Sequence, residues 1–410
     1  MVVYGIDSSM TTIKRKYSSL LENHFADGPE MAFLAGPRQV GKTTIARLFQ
    51  QGKSVYINWD NEDHRRMIME GPARVAEYIG LPSSPVIIFD EIHKFPHWKN
   101  FIKGFYDTFA VPAKLQIIIT GNARLDIYRK GGDSLMGRYF LYRIHPLSVA
   151  ELLFPQDLKQ AETGNPGRLP DEQWQRLLRF GGFPQPFRRG NKQFYHRWKR
   201  TRISQIFRED IHDIARVHDI RLVEIMAELL NHQAGQLTSY ASLARKIRVS
   251  EESIRRWLDI LESLYYCFSV RPWHHNIARS LRKEPKYYLW DWSMVGSDGA
   301  RAENFIASHL LKAVHYWTDI GLGDFNLSFL RTKDKREVDF LVSRDSQPWF
   351  LVEVKSGSAP LSKNLAYFQK VTGARHAFQV ALDDPFIDAD CFAIPYPVKV
   401  PARTFLSQLV

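Results

Sequence analysis

The chain has 410 residues, 44% hydrophobic and 24% charged, a balance that fits folded globular domains and excludes a disordered or fibrous chain. Its 56 Lys and Arg outnumber 44 Asp and Glu, a formal net charge of +12 that suits an anionic partner without specifying a fold. Two cysteines, Cys267 and Cys391, exclude a disulfide framework and a cysteine-built zinc site and fit a reducing compartment. The length suggests two or three domains. No apolar run nears the roughly 20 residues that cross a bilayer, and the first residues lack a secretory pattern. A cytoplasmic protein with no membrane partner is therefore expected.

In chain order, the first 150 residues alternate short β-branched runs with amphipathic stretches, the pattern of a parallel sheet covered by helices. Strands are predicted over 31–34, 54–58, 85–89, 115–120 and 139–144, with helices over 42–49 and 98–109. A looser segment carries the turn Gly181-Gly182-Phe183-Pro184. A long helix is predicted over 191–215, then three short helical patterns and an apolar strand over 222–270. The last third reads helix 300–314, strands 326–331, 337–342 and 349–354, helix 361–371 and strand 377–381. No internal repeat or low-complexity tract occurs.

Gly36-Pro37-Arg38-Gln39-Val40-Gly41-Lys42-Thr43 fits the phosphate-loop pattern G-x-x-x-x-G-K-[ST] between a predicted strand and a predicted helix. Glycines let backbone N–H groups turn inward around phosphate oxygens, and the helix N-terminus adds a positive dipole end. Lys42 then neutralises the β- and γ-phosphates and Thr43 ligates Mg²⁺. The nucleotide-binding set is Gly36, Pro37, Gly41, Lys42, Thr43 and Thr44, with ATP and Mg²⁺ as ligands.

The apolar run 86–89 ends in Asp90 and Glu91, delivering two carboxylates to the sheet edge where open α/β sheets bind ligands. Asp90 is expected to hold Mg²⁺ and Glu91 to polarise the attacking water. Asn122, ending the run 117–121, is the candidate for sensing the γ-phosphate. Arg138 cannot be assigned by spacing alone, and a structural salt bridge is its other reading.

Between Arg188 and Arg208, eight cations (Arg188, Arg189, Lys192, Arg197, Lys199, Arg200, Arg202, Arg208) interleave with Phe187, Phe194, Tyr195, Trp198 and Phe207. Two readings stand: a basic surface with aromatics that stack on bases, or a lid helix whose aromatics face a core. The segment 240–270 has a helix-turn-helix rhythm, with Arg255 and Arg256 on its second helix. Near the end, period-two geometry puts Glu353 and Lys355 on one face of a strand beside Asp339 on its neighbour. Two carboxylates and an ammonium suit metal-assisted phosphodiester cleavage, with Glu303 a further acid and Mg²⁺ or Mn²⁺ the possible metal.

The succession GPRQVGKTT, IIFDEIHK, IIITGNA and SLMGRYFLYRIHPLSVAEL, continued by RFGGFPQPF, FRED and EVDFLV…FLVEVK, resembles the bacterial and archaeal AAA-type ATPases that carry a C-terminal domain of unknown function. The resemblance implies an α/β chain with an ATPase core (1–150), a helical lid (151–217), a winged helix (218–280) and a restriction-endonuclease-like PD-(D/E)xK domain (281–410). It also implies that Arg138 reaches a neighbouring subunit's nucleotide, hence a ring or other homo-oligomer. Asn122 stands where the family more often has serine. The expected function is an ATP-hydrolysing motor acting on DNA, with cleavage by Asp339, Glu353 and Lys355 left open. The alternative is a nucleotide-dependent switch whose inert terminal domain binds a protein partner.

Overall fold

A computed structural model describes residues 13–49, 54–80, 86–121, 135–156, 162–211, 220–273, 284–357 and 359–410. The first sheet holds β1 (Met31–Ala35), β2 (Ser54–Asn58), β3 (Val86–Asp90), β4 (Gln116–Gly121) and β5 (Tyr139–Arg143) in the order β2-β3-β4-β1-β5. Every pairing is parallel. β1 and β3 are buried along their whole length, so their sequences are unbroken apolar runs rather than alternating ones. β4 separates β1 from β3, yet the parallel register brings the loop after β1 and the acids ending β3 to the same carboxyl edge.

One face of this sheet packs Phe33, Ile87, Phe89 and Ile119 against the helix Trp98–Phe105. The other face, through Leu34, Ile88 and Ile118, joins a larger core that continues into the C-terminal third. The helices Asp171–Phe180, Pro184–Arg189 and Lys192–Gln205 follow, the last widening into a π-turn at Ile206–Asp210. Asn191 caps it by accepting from the Phe194 N–H at 2.9 Å. Residues 212–219, at the end of the expected helix, lie outside the described residues. Three helices come next, Ile220–His232, Tyr240–Ile247 and Glu251–Ser263. Ser250 caps the third, accepting from the Ser253 N–H at 3.1 Å.

The second sheet contains β6 (Cys267–Pro272), β7 (Lys286–Leu289), β8 (Phe325–Arg331), β9 (Glu337–Arg344), β10 (Gln347–Lys355), β11 (His376–Ala381) and β12 (Pro397–Pro401), in the order β12-β11-β10-β9-β8-β6-β7. β6 pairs with both β7 and β8, so the expected domain boundary at 280 falls between two paired strands. The sheet runs straight across it.

The helix Asp298–Asp319 ties the two sheets together. Ser297 caps it, and Phe305, Ile306, Leu310, Ala313 and Trp317 are buried within the shared core. It packs on β8 and β10 and also on β5 of the first sheet. Arg143 on β5 clasps Asp319 at its end, with Nε–Oδ1 at 2.9 Å and backbone N–H to Oδ2 at 2.8 Å.

Candidate functional site

The loop after β1 has the backbone its glycines permit. Gly41 has φ of 104°, a left-handed value that disfavours side chains. A Cβ on Gly36 would lie 2.3 Å from the Ile144 carbonyl oxygen. The buried Lys42 ammonium donates to the carbonyls of Gly36 and Pro37, each at 2.8 Å. Burial lowers its pKa to about 8 against the opposing pull of Glu91 and Asp90. A buried cation held by loop carbonyls at a helix N-terminus is suited to a phosphate group.

Asp90, ending β3, faces this loop. Its Oδ2 accepts from the Thr43 hydroxyl at 3.1 Å and the Tyr56 hydroxyl at 2.5 Å, and its Oδ1 accepts from Thr120. A hydroxyl and a carboxylate converging beside the loop are the oxygen donors a hard cation takes, so the residues fit Mg²⁺ arriving with a triphosphate. Glu91 adopts a left-handed φ of 57°, a strained state of the kind that clusters at functional sites. Its Oε2 is buried without a hydrogen bond, with Lys94 Nζ 3.4 Å away, and burial raises its pKa. A carboxylate with an oxygen left over and an elevated pKa suits proton acceptance from water.

Two adjoining clefts open here. One, of about 420 Å³, is lined by Lys42, Thr43, Asp60, Glu91 and Lys94. The other, of about 580 Å³, is lined by Arg15, Ser18, Glu22, Ile45 and Arg188. Gly41, Thr44, Pro184 and Gln185 border both, so the Gly-Gly-Phe-Pro turn supplies a wall of the site. The middle helices reach the loop as well: Arg38 pairs with Asp210, and Gln39 donates to Gln205 at 3.3 Å. The FRED stretch is thus fastened to the phosphate loop.

Sequence reasoning missed the support beneath the loop. Arg15, almost fully buried, donates to the Val40 carbonyl and the His145 carbonyl, each at 2.6 Å, and to Glu151 Oε1 at 2.8 Å. Glu151 also accepts from Lys312 Nζ at 2.5 Å, on the long C-terminal helix. Burial works against its charge, but Arg15 and Lys312 hold its pKa down to about 2. Sequence separations of 136 and 161 residues left no local signal for this chain of contacts.

Arg138 lies at the other edge of the sheet. Its carbonyl accepts from the N–H of Met31, the first residue of β1, whereas the phosphate loop follows the last. Four residues of strand, about 13 Å, separate the two levels. Its guanidinium grips Asp107 with Nε–Oδ1 at 2.8 Å and a second bond at 3.0 Å, which lowers the Asp107 pKa. Asn122 lies outside the described residues.

In the C-terminal sheet the structure gathers Glu303, Asp339, Glu353 and Lys355, and adds three groups that sequence reasoning missed. Lys286 on β7 places its Nζ 2.6 Å from Glu337, 3.4 Å from Glu303 and 3.8 Å from Asp339. Tyr288 donates to Glu303 at 2.7 Å. Asp339 accepts the Val354 N–H at 2.8 Å, and Lys355 pairs with Glu353 at 2.8 Å. Burial, then Glu303, raises the Asp339 pKa to about 7. Among the described residues no group of three acidic, His or Cys side chains has a metal-holding arrangement. The expected second metal site does not fit these residues as they stand, because an ammonium sits among the carboxylates.

Most aromatics of the basic middle face a core, with Phe194 half-buried. Phe187, Tyr195, Trp198 and Phe207 are buried in cores rather than presented for stacking. Arg202 is buried too, its guanidinium 4.1 Å from the Phe183 ring centroid. Arg189, Lys192, Arg197, Arg200 and Arg208 are exposed. Arg255 is engaged locally, 4.3 Å from the Tyr240 ring centroid, and Arg256 is exposed.

A parallel sheet with a phosphate loop between its first strand and the next helix is the arrangement of a P-loop fold. Residues 28–153 match the family described as AAA domain, while 171–299 and 298–397 match two families described as domains of unknown function. An uncharacterized protein of Mycobacterium tuberculosis is 25% identical over 353 residues, 80% of this chain and 71% of that one. Another, of Haemophilus influenzae, is 24% identical over 358 residues, 78% of this chain and 81% of that one. The solved structure of a Walker-type ATPase of Pyrococcus abyssi aligns with 69% of this chain and 95% of its own at 15% identity and a TM-score of 0.43. No helix among the described residues is long and apolar enough to cross a membrane.

Proposed function

We propose that the chain hydrolyses ATP at the loop Gly36–Thr43 and assembles as a homo-oligomer that acts on DNA. The observation that carries the hydrolysis is the convergence, at one sheet edge, of a buried lysine on loop carbonyls, the Thr43–Asp90 pair and Glu91 with a buried oxygen that takes no hydrogen bond. Lys42 binds the phosphates and Gly36, Pro37, Gly41 and Thr44 frame them. Thr43 and Asp90 would hold Mg²⁺, which would offset the charge on the phosphate oxygens. Glu91 orients the water and takes its proton, with Asn122 the candidate for fixing the water's position. Arg138 cannot serve its own chain's loop from the opposite edge, so it is assigned to a neighbour's nucleotide, and it must leave Asp107 to reach it. The domains proposed to respond are the lid (151–217), the winged helix (218–280) and the nuclease-like region (281–410).

Support for DNA is the exposed cations of the lid helix and Arg256 on a helix-turn-helix segment, against a net charge of +12. Stimulation of ATP hydrolysis by DNA, with binding that falls steeply as salt rises, is the expected result. An ATPase rate unmoved by any DNA would refute the DNA part and leave the ATPase standing. A second reading, a nucleotide switch whose terminal domain cuts nothing and binds a protein partner, is favoured by one observation: Lys286 stands among the acids that a nuclease would need for metal.

A further inference from the structure

We infer that the ammonium of Lys286 is the resident cation of the terminal carboxylate cluster, so that this site works without a metal. The inference deepens the reading of an uncleaving terminal domain, and it concerns a different site from the one that takes ATP.

Lys286 comes from β7, which pairs with β6 in its sheet and whose Tyr287 carbonyl also accepts from the Gly235 N–H. Its side chain is 4% exposed and its Nζ has Glu337, Glu303 and Asp339 at 2.6, 3.4 and 3.8 Å. Those acids take other donors as well. Glu337 also receives Arg331, Glu303 also receives the Tyr288 hydroxyl, and Asp339 also receives the Val354 N–H. Glu353 is held by Lys355 through one oxygen, and its other oxygen is buried without a hydrogen bond. Glu303 takes both of its donors on Oε1, so what sets this cluster apart is the ammonium among its carboxylates rather than a shortage of oxygens.

The charges agree with this assignment. Glu303, Glu337, Asp339 and Glu353 give four negative charges, and Lys286, Arg331 and Lys355 give three positive ones. The excess is a single negative charge. Burial works against the charge on Lys286, but Glu303, Asp339 and Glu337 together hold its pKa above the ordinary value. A divalent ion among the same oxygens would meet a fixed ammonium in a site of low dielectric, where like charges repel strongly.

The test is a Mn²⁺ titration of the intact chain without nucleotide, read by the spin resonance of free Mn²⁺ and by thermal melting. The native chain should take up no Mn²⁺ that depends on Asp339, and millimolar Mn²⁺ should leave its Tm unchanged. Lys286→Met should melt earlier, bind Mn²⁺ and recover part of its Tm when Mn²⁺ is added. Adding Asp339→Asn to that variant should abolish the uptake. Mn²⁺ uptake by the native chain that disappears in Asp339→Asn would overturn the inference. So would a folded Lys286→Met chain that binds no more Mn²⁺ than the native one. Should Lys286→Met fail to fold, the native chain against Asp339→Asn decides alone.

Discussion

Lys42 and Lys286 are both buried ammonium groups with acids nearby, and their partners differ. Lys42 donates to two loop carbonyls, and burial pulls its pKa down to about 8. Lys286 sits among three carboxylates, and their combined field keeps its pKa above the ordinary value. The acids beside Lys42 are arranged differently too: Asp90 is shared by three hydroxyls and Glu91 keeps an oxygen unbonded. One site holds its cation on neutral carbonyls beside a carboxylate shared by hydroxyls. The other has a cation of its own. Residue types alone cannot tell these apart, since each site offers lysine, aspartate and glutamate; the geometry of partners does.

The largest effect is expected at Arg138. If it completes a neighbour's site, Arg138→Ala should lower ATP turnover by about 10³-fold or more while leaving nucleotide affinity within a few fold. Turnover should recover partly when this variant is mixed with Glu91→Gln chains, because mixed interfaces then hold one intact site. No recovery on mixing, with full turnover in Arg138→Ala, would remove the arginine from the mechanism. Glu91→Gln alone should slow hydrolysis by about 10²–10⁴-fold with ATP still bound, as measured by single-turnover assay. Full turnover would assign the proton to another group.

Glu151→Gln tests whether the loop is held from the C-terminal helix. Breaking a buried pair by removing one partner costs roughly 3–5 kcal/mol. Denaturant melts should therefore show a stability loss of that order, and KM for ATP should rise because Arg15 no longer steadies Val40. A stability loss with an unchanged KM would leave Arg15 a structural residue only.

The smallest predicted effect is on acid stability. His145 and His309 are buried and held neutral, with burial the largest cause in both, and His309 lowered to about 3. Their folded pKa values lie below the unfolded value near 6.5. The unfolded chain therefore binds more protons below that pH, and stability falls as pH drops from about 6.5. Each histidine contributes a slope of about 1.4 kcal/mol per pH unit there, visible as a falling urea midpoint between pH 7.5 and 5.5. His309→Gln should flatten that fall, and an unchanged slope would contradict the assignment.

What the residues disclosed in advance follows from the range of the interactions. The phosphate loop, β1 and the acids ending β3 are local in sequence, so the pattern, the apolar runs and the helix start all coincide within a few residues. The aromatic stripe at Tyr195, Trp198 and Phe207 was legible as a helical face, and these side chains are buried in cores. Arg15, Glu151, Lys312 and Lys286 were not legible, because each works through partners brought near only by the tertiary fold. The terminal cluster shows the cost of reading short spacings alone. Asp339, Glu353 and Lys355 were found, while the lysine that changes their meaning arrives from β7, a strand the sequence pattern did not predict.

The most direct test is calorimetric titration of the intact chain with Mg²⁺ and a slowly hydrolysed ATP analogue. One nucleotide per chain should bind, binding should vanish in Lys42→Ala with its melting temperature preserved, and Lys286→Met should bind as the native chain does. Undiminished uptake by a folded Lys42→Ala chain, or no uptake by the native one, would contradict the account.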